Sequence, residues 1–140
     1  MKRLLFLLVP LFLFASHSQA GEKLKTPWSL SYGDGSANQY RFGQDLKESQ
    51  TYFEYFPVRP ENSSTGTYSG GEPRQGDLSA KQTAELKKWL NKLESDKSLH
   101  TESRDKGTGA FTVRSGDETR SFIIQMGPEL REFDQFLKKL

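Results

Sequence analysis

A few groups of residues in this chain have types and spacings that chemistry could use, and none of them is a complete catalytic set. Of its two histidines, His17 lies in an apolar leader, so His100, beside Thr101 and Glu102, is the only imidazole of the body. A nucleophile needs an oriented base and an oxyanion site, and zinc needs several converging ligands. With no cysteine in the chain, neither is expected, and His100 reads as a solvent-facing side chain. Asp34, Ser36 and Asn38 alternate as oxygen donors beside Gly33 and Gly35, as at the start of a calcium loop. The twelfth position is Asp45 where that loop needs glutamate, so a turn between strands is the simpler expectation. Glu54 sits in an aromatic strand where burial could raise its pKa for acid–base work. On the uncovered side of a sheet it is an ordinary surface residue. No catalytic residue, metal ligand or cofactor is therefore expected, and the chain reads as something other than an enzyme.

The stretch that stands out is Asn62-Ser63-Ser64-Thr65-Gly66-Thr67-Tyr68-Ser69-Gly70-Gly71-Glu72-Pro73. Its glycines supply backbone freedom, its hydroxyls adaptable hydrogen bonds and Tyr68 a large amphipathic contact, a mixture suited to binding loops. The expected partner contacts are Thr65, Thr67, Tyr68, Ser69, Gly70, Gly71 and Glu72. The alternatives are a disordered connector, or a hairpin whose Tyr68 packs into the core. Asn62-Ser63-Ser64 also fits a glycosylation sequon, relevant only to a eukaryotic secretory route.

The elements that must position this loop are legible on both sides. Trp28, Leu30 and Tyr32 alternate with Ser29 and Ser31, a half-buried strand broken at Gly33-Asp34-Gly35-Ser36, and a short strand around Tyr40 to Phe42 follows. Thr51 to Phe56 carries aromatics on both faces, which predicts a central strand ended by Pro57 and Pro60. A Gly/Ser-rich loop over 59–77 comes next. Leu86, Trp89, Leu90 and Leu93 recur at i, i+3, i+4 and i+7, and Ser79 with Gln82 forms a capping box, which predicts a helix from 80 to about 95. After a polar connection, Ala110 to Arg114 and Thr119 to Gln125 predict a hairpin with a four-residue turn. Pro128 opens a second amphipathic pattern through Leu130, Phe133, Leu137 and Leu140. The fold class is α+β: two layers, an antiparallel sheet of four or five strands covered on one side by two helices.

Lys2 and Arg3, an apolar run from Leu4 to Ala15 and the small-residue end Ser18-Gln19-Ala20 predict a secretory signal peptide over 1–20. The run is too short to span a bilayer. Removal leaves a single domain over 21–140, exported to the periplasm or secreted, with no membrane span. It also removes two basic residues from the chain's 20, leaving basic and acidic residues in equal number. Without a basic field, nucleic acid is not an expected partner.

From about Thr51 onward, the order of strand, Ser69-Gly70-Gly71 loop, Leu78-to-Leu93 helix, hairpin with Phe111 and Val113, and C-terminal helix resembles emfourin, a small bacterial inhibitor of thermolysin-like metalloproteases. The resemblance implies a protease as partner and the Ser69 to Gly71 loop as the place of contact. The leading expectation is a small exported protein-interaction module acting through the 59–77 loop, with protease inhibition its most specific version. The alternative is an envelope enzyme or ligand-binding carrier using aromatic residues and carboxylates.

Overall fold

Alternating patterns become strands in the computed structural model, which describes residues 24–140. The leader expected at 1–20 lies outside the described residues. In chain order the elements are β1 (Trp28–Gly33), β2 (Gln39–Gln44), β3 (Thr51–Phe56), β4 (Arg74–Leu78), α1 (Ala80–Ser95), β5 (His100–Thr101), β6 (Gly109–Ser115), β7 (Glu118–Ile124) and α2 (Pro128–Leu137). The strands form one antiparallel sheet of seven, ordered β4-β3-β2-β1-β6-β7-β5.

Seven strands exceed the four or five expected, and the two extra ones lie at the edges. An edge strand is half-paired and needs no alternation of apolar residues, which is why Arg-Gln-Gly-Asp-Leu at β4 and His-Thr at β5 read as loop. The expected 59–77 loop therefore ends at Pro73, and Pro60–Asn62 within it form a single 3-10 turn. The central strand is β1, with β3 second from one edge. The aromatics of β3 divide as a two-faced strand requires: Phe53 and Tyr55 are buried, while Phe56 is exposed. The hairpin turn is tighter than expected, because Ser115 pairs with Glu118 and only Gly116 and Asp117 remain outside the ladder. Gly116 supplies the positive φ (58°) that a two-residue hairpin needs at its first central position.

Both helices lie on one face. The Ser79–Gln82 capping box starts α1, and its stripe of Leu86, Leu90 and Leu93 is buried. Leu130, Phe133, Phe136 and Leu137 of α2 join the same core, and Trp89 meets Phe133 between the helices at 6.1 Å. Each fully buried leucine or phenylalanine contributes about 1.5–3 kcal/mol. Arg120 of β7, register partner of the buried Val113, pairs with Glu94 at 2.5 Å and ties that strand to α1. No helix among the described residues is long and apolar enough to cross a membrane.

One side-chain row crosses the whole sheet on its covered face. Tyr55, Tyr40, Tyr32, Phe111 and Phe122 are successive register partners on β3, β2, β1, β6 and β7. Their ring centroids are 4.6, 5.8, 4.5 and 4.9 Å apart. Arg74 of β4 caps one end, its guanidinium 4.9 Å from the Tyr55 ring, and His100 of β5 caps the other, stacked on Phe122 at 5.1 Å. His100 is thus half-buried, correcting the solvent-facing expectation, and its Nε2 donates to the Leu93 carbonyl at 2.8 Å. It lies at the sheet edge opposite β4.

Candidate binding cleft

The connections 34–38, 57–73, 102–108 and 125–127 all leave the same end of the sheet. The connections 45–50 and 116–117 serve the other end. Where these connections meet α2 they enclose an open cleft of about 860 Å³. That volume is within the range that small-molecule and peptide-side-chain sites occupy. Tyr40 and Tyr55 line it on the sheet side, Tyr68 to Gly70 and Glu72 on the loop side, and Arg131, Asp134 and Lys138 on the α2 side. A second depression of about 670 Å³ lies beyond Tyr68, between residues 62–65 and the 104–106 segment. Tyr68, Asp34 and Lys106 border both.

The loop is held in place by hydrogen bonds, with little apolar packing. Asn38, 4% exposed, is the hub. Its Oδ1 accepts from the Val58 amide at 2.9 Å, and its Nδ2 donates to Asp34 Oδ2 at 2.8 Å and to the Tyr68 hydroxyl at 3.1 Å. Gly70 donates to the Val58 carbonyl, and its own carbonyl accepts from the Tyr55 hydroxyl at 2.7 Å. A Cβ on Gly70 would stand 2.0 Å from Asn38 Oδ1, so only glycine lets the loop pass the hub. Asp34 accepts from the amides of Ser36 and Asn38 with its other oxygen. The Asp34–Asn38 segment is therefore a self-satisfied turn. Arg104 ties the third connection to this end through the Thr108 and Asp34 carbonyls.

Below the cleft, the Tyr32 hydroxyl donates to Asp134 Oδ1 at 2.5 Å. Burial pushes the Asp134 carboxyl above its usual range, and the Tyr32 hydrogen bond draws it partly back. Burial also raises Tyr32, Tyr40 and Tyr55, with neighbouring Asp134, Tyr55 and Asp34 respectively adding to it. All three phenols stay neutral donors at physiological pH.

Of the expected contact residues, Tyr68, Ser69, Gly70 and Glu72 line the cleft and Thr65 the second depression, while Thr67 and Gly71 line neither. Tyr68 is 38% exposed and so is not a core residue. Glu54 lies on the open face, opposite Arg41 and Gln75 in register, away from the cleft. Among the described residues no three His, Cys, Asp or Glu side chains converge as metal ligands would. The sequence reading missed Arg74, Lys106, Met126, Arg131, Asp134 and Lys138. The available signal was the i, i+3, i+7 spacing of Arg131, Asp134 and Lys138, which is indistinguishable from a solvated helix face until the loop is seen opposite it.

Comparison of the chain with protein-family models, with curated proteins and with solved structures finds no match.

Proposed function

We propose that this is a small exported protein-interaction module that receives a segment of its partner in the cleft, with the 59–73 loop as one wall. The observation that carries this is the pinned loop: Tyr68 is held by Asn38 yet keeps a third of its surface free, facing two depressions. A rigid base presenting a fixed, half-exposed tyrosine is the arrangement binding surfaces use, because little entropy remains to be lost on contact. Inhibition of a thermolysin-like metalloprotease is the narrower version, supported by the emfourin-like order of elements and the Ser69-Gly70-Gly71 segment.

A photo-crosslinking side chain placed at Thr65, and separately at Thr119 of β7, tests the proposal on the exported protein in its own envelope and secreted fraction. A discrete protein adduct from position 65 alone is expected. Adducts from both positions, or from 119 alone, would remove the loop from consideration. Titration of thermolysin activity with the purified protein tests the narrower version, which requires stoichiometric loss of activity.

The second reading, a carrier or envelope enzyme, is favoured by the concavity and by the two aspartates at the cleft. Both Asp34 oxygens are committed to the chain's own donors, however, and Asp134 is held by Tyr32. A small-molecule mass shift in place of a protein adduct would bring this reading forward.

A further inference from the structure

Arg131 and Asp134 of α2 and Lys138 at its C-cap line one side of the cleft, and Arg74 and Lys106 approach it from β4 and the 102–108 connection. Four cations therefore border the space. None of the four forms an ion pair among the described residues, whose ion pairs are those of Arg120 with Glu94 and Glu118. The three carboxylates at the cleft do not balance them. The Ser36 and Asn38 donors orient Asp34 and the Tyr32 hydroxyl orients Asp134 without cancelling a charge, so with Glu72 at the rim three carboxylates face four cations. In a chain whose body is formally neutral, this is a local surplus of one positive charge, with Arg74 stacked on the Tyr55 ring and Lys106, Arg131 and Lys138 outside any ion pair among the described residues, beside neutral phenol donors and the exposed thioether of Met126.

We propose that the occupant is an acidic, extended segment of a partner polypeptide, its carboxylates held by Arg131, Lys138, Arg74 and Lys106. This rests on the cleft being the partner site. Arginine forks match carboxylates in a planar, two-pronged manner, and lysines add charge without fixing direction. Spaced carboxylates can pass Glu72 and Asp34, whereas a continuous phosphate backbone meets both as repulsion. Apolar contact with Tyr68 and Met126 suits a segment whose acidic residues are interspersed with larger side chains. The second depression beyond Tyr68 continues the path, which suits a chain more than a single small anion.

A random linear peptide library displayed on phage, selected against the immobilised protein, tests this with Tyr68→Ala and the double variant Arg131→Gln/Lys138→Gln as parallel targets. Enrichment of Asp- and Glu-rich peptides is expected, lost on both variants. The best peptide, resynthesised with Gln for Glu, should bind at least about tenfold more weakly. The parent peptide should lose affinity with added salt, and Arg41→Gln/Arg114→Gln on the open face should leave its binding unchanged. Neutral or basic peptides whose capture needs Tyr68 but not Arg131 and Lys138 overturn the acidic occupant and keep the cleft as partner site. No enrichment that depends on either variant overturns both. Displacement of the peptide by a single-stranded oligonucleotide or by inorganic phosphate at equal concentration overturns the acidic polypeptide in favour of a phosphate ligand.

Discussion

The aromatic row is two different structures on either side of Tyr32. Toward β6 and β7 it consists of Phe111 and Phe122, with Phe133 of α2 within 5.5 Å of Phe111. Toward β2 and β3 it consists of Tyr40 and Tyr55, which border the cleft, and Tyr55 holds the loop through the Gly70 carbonyl. The rings share one register and one face, and all but the half-buried Phe122 are buried. The difference is the hydroxyl. A phenylalanine can only be covered, whereas a tyrosine buries its ring and offers a donor at its tip. One half is closed by apolar packing and the other by hydrogen bonds to a loop, so damage to each should have a different signature.

The largest effect should come from the closed half. Phe111, 1% exposed, touches Tyr32, Phe122 and Phe133, and Phe111→Ala leaves a cavity among rings that cannot collapse around it. A loss of about 3–5 kcal/mol is expected in urea denaturation. A loss below about 1 kcal/mol would mean the ladder relaxes freely and is not a packed unit.

Asn38→Ala is the corresponding break at the open half, and its effect should be smaller and local. It strands the Val58 amide and releases Tyr68 and Asp34, at a cost of about 1–3 kcal/mol. Limited proteolysis should then cut within 59–73 while the sheet and helix signal in circular dichroism stays. Global unfolding with no early cleavage in the loop would make Asn38 part of the core's cooperative unit.

This contrast also explains what could be read in the residues. The closed half announced itself: Leu86, Leu90 and Leu93 repeat at helical spacing, and Trp28, Leu30 and Tyr32 alternate, because burial imposes a period on sequence. Tyr68 and the glycines around it announced a loop with contact potential, and four of the seven expected contact residues do border the cleft. Arg74, Arg131 and Lys138 announced nothing, since a cation facing a cleft has the same local pattern as one facing water. Asn38 looked like a turn residue and is one. Its second role, receiving Val58 and Tyr68 from distant positions in the chain, depends on where the β3–β4 connection lands.

Tyr55→Phe sharpens the comparison by turning an open-half ring into a closed-half one. The ring and its stacking on Tyr40 and Arg74 remain, while the donor to the Gly70 carbonyl and the hydroxyl's hydrogen bond with Tyr40 are lost. A cost of about 0.5–1.5 kcal/mol is expected by urea denaturation, with faster amide exchange at Gly70. Phe111→Tyr is the mirror experiment: it places an unpartnered hydroxyl under α2 and should cost more than Tyr55→Phe.

The smallest effect concerns Asp134, which accepts from Tyr32 where the two halves meet. Its folded-state pKa lies above the ordinary value of 3.8, chiefly because burial disfavours the charged form. Between those two values the folded chain holds a proton that the unfolded chain has released. Stability from this group is therefore fully present below the unfolded value and is lost as pH rises through the folded one. Asp134→Asn keeps an oxygen to accept from Tyr32 and cannot ionise. The melting temperature of the variant relative to the native protein should therefore rise as pH increases from about 4 through the folded-state value, with native Asp134 supplying the downward slope. A constant offset across that interval would show that Asp134 ionises in the fold as it does in water.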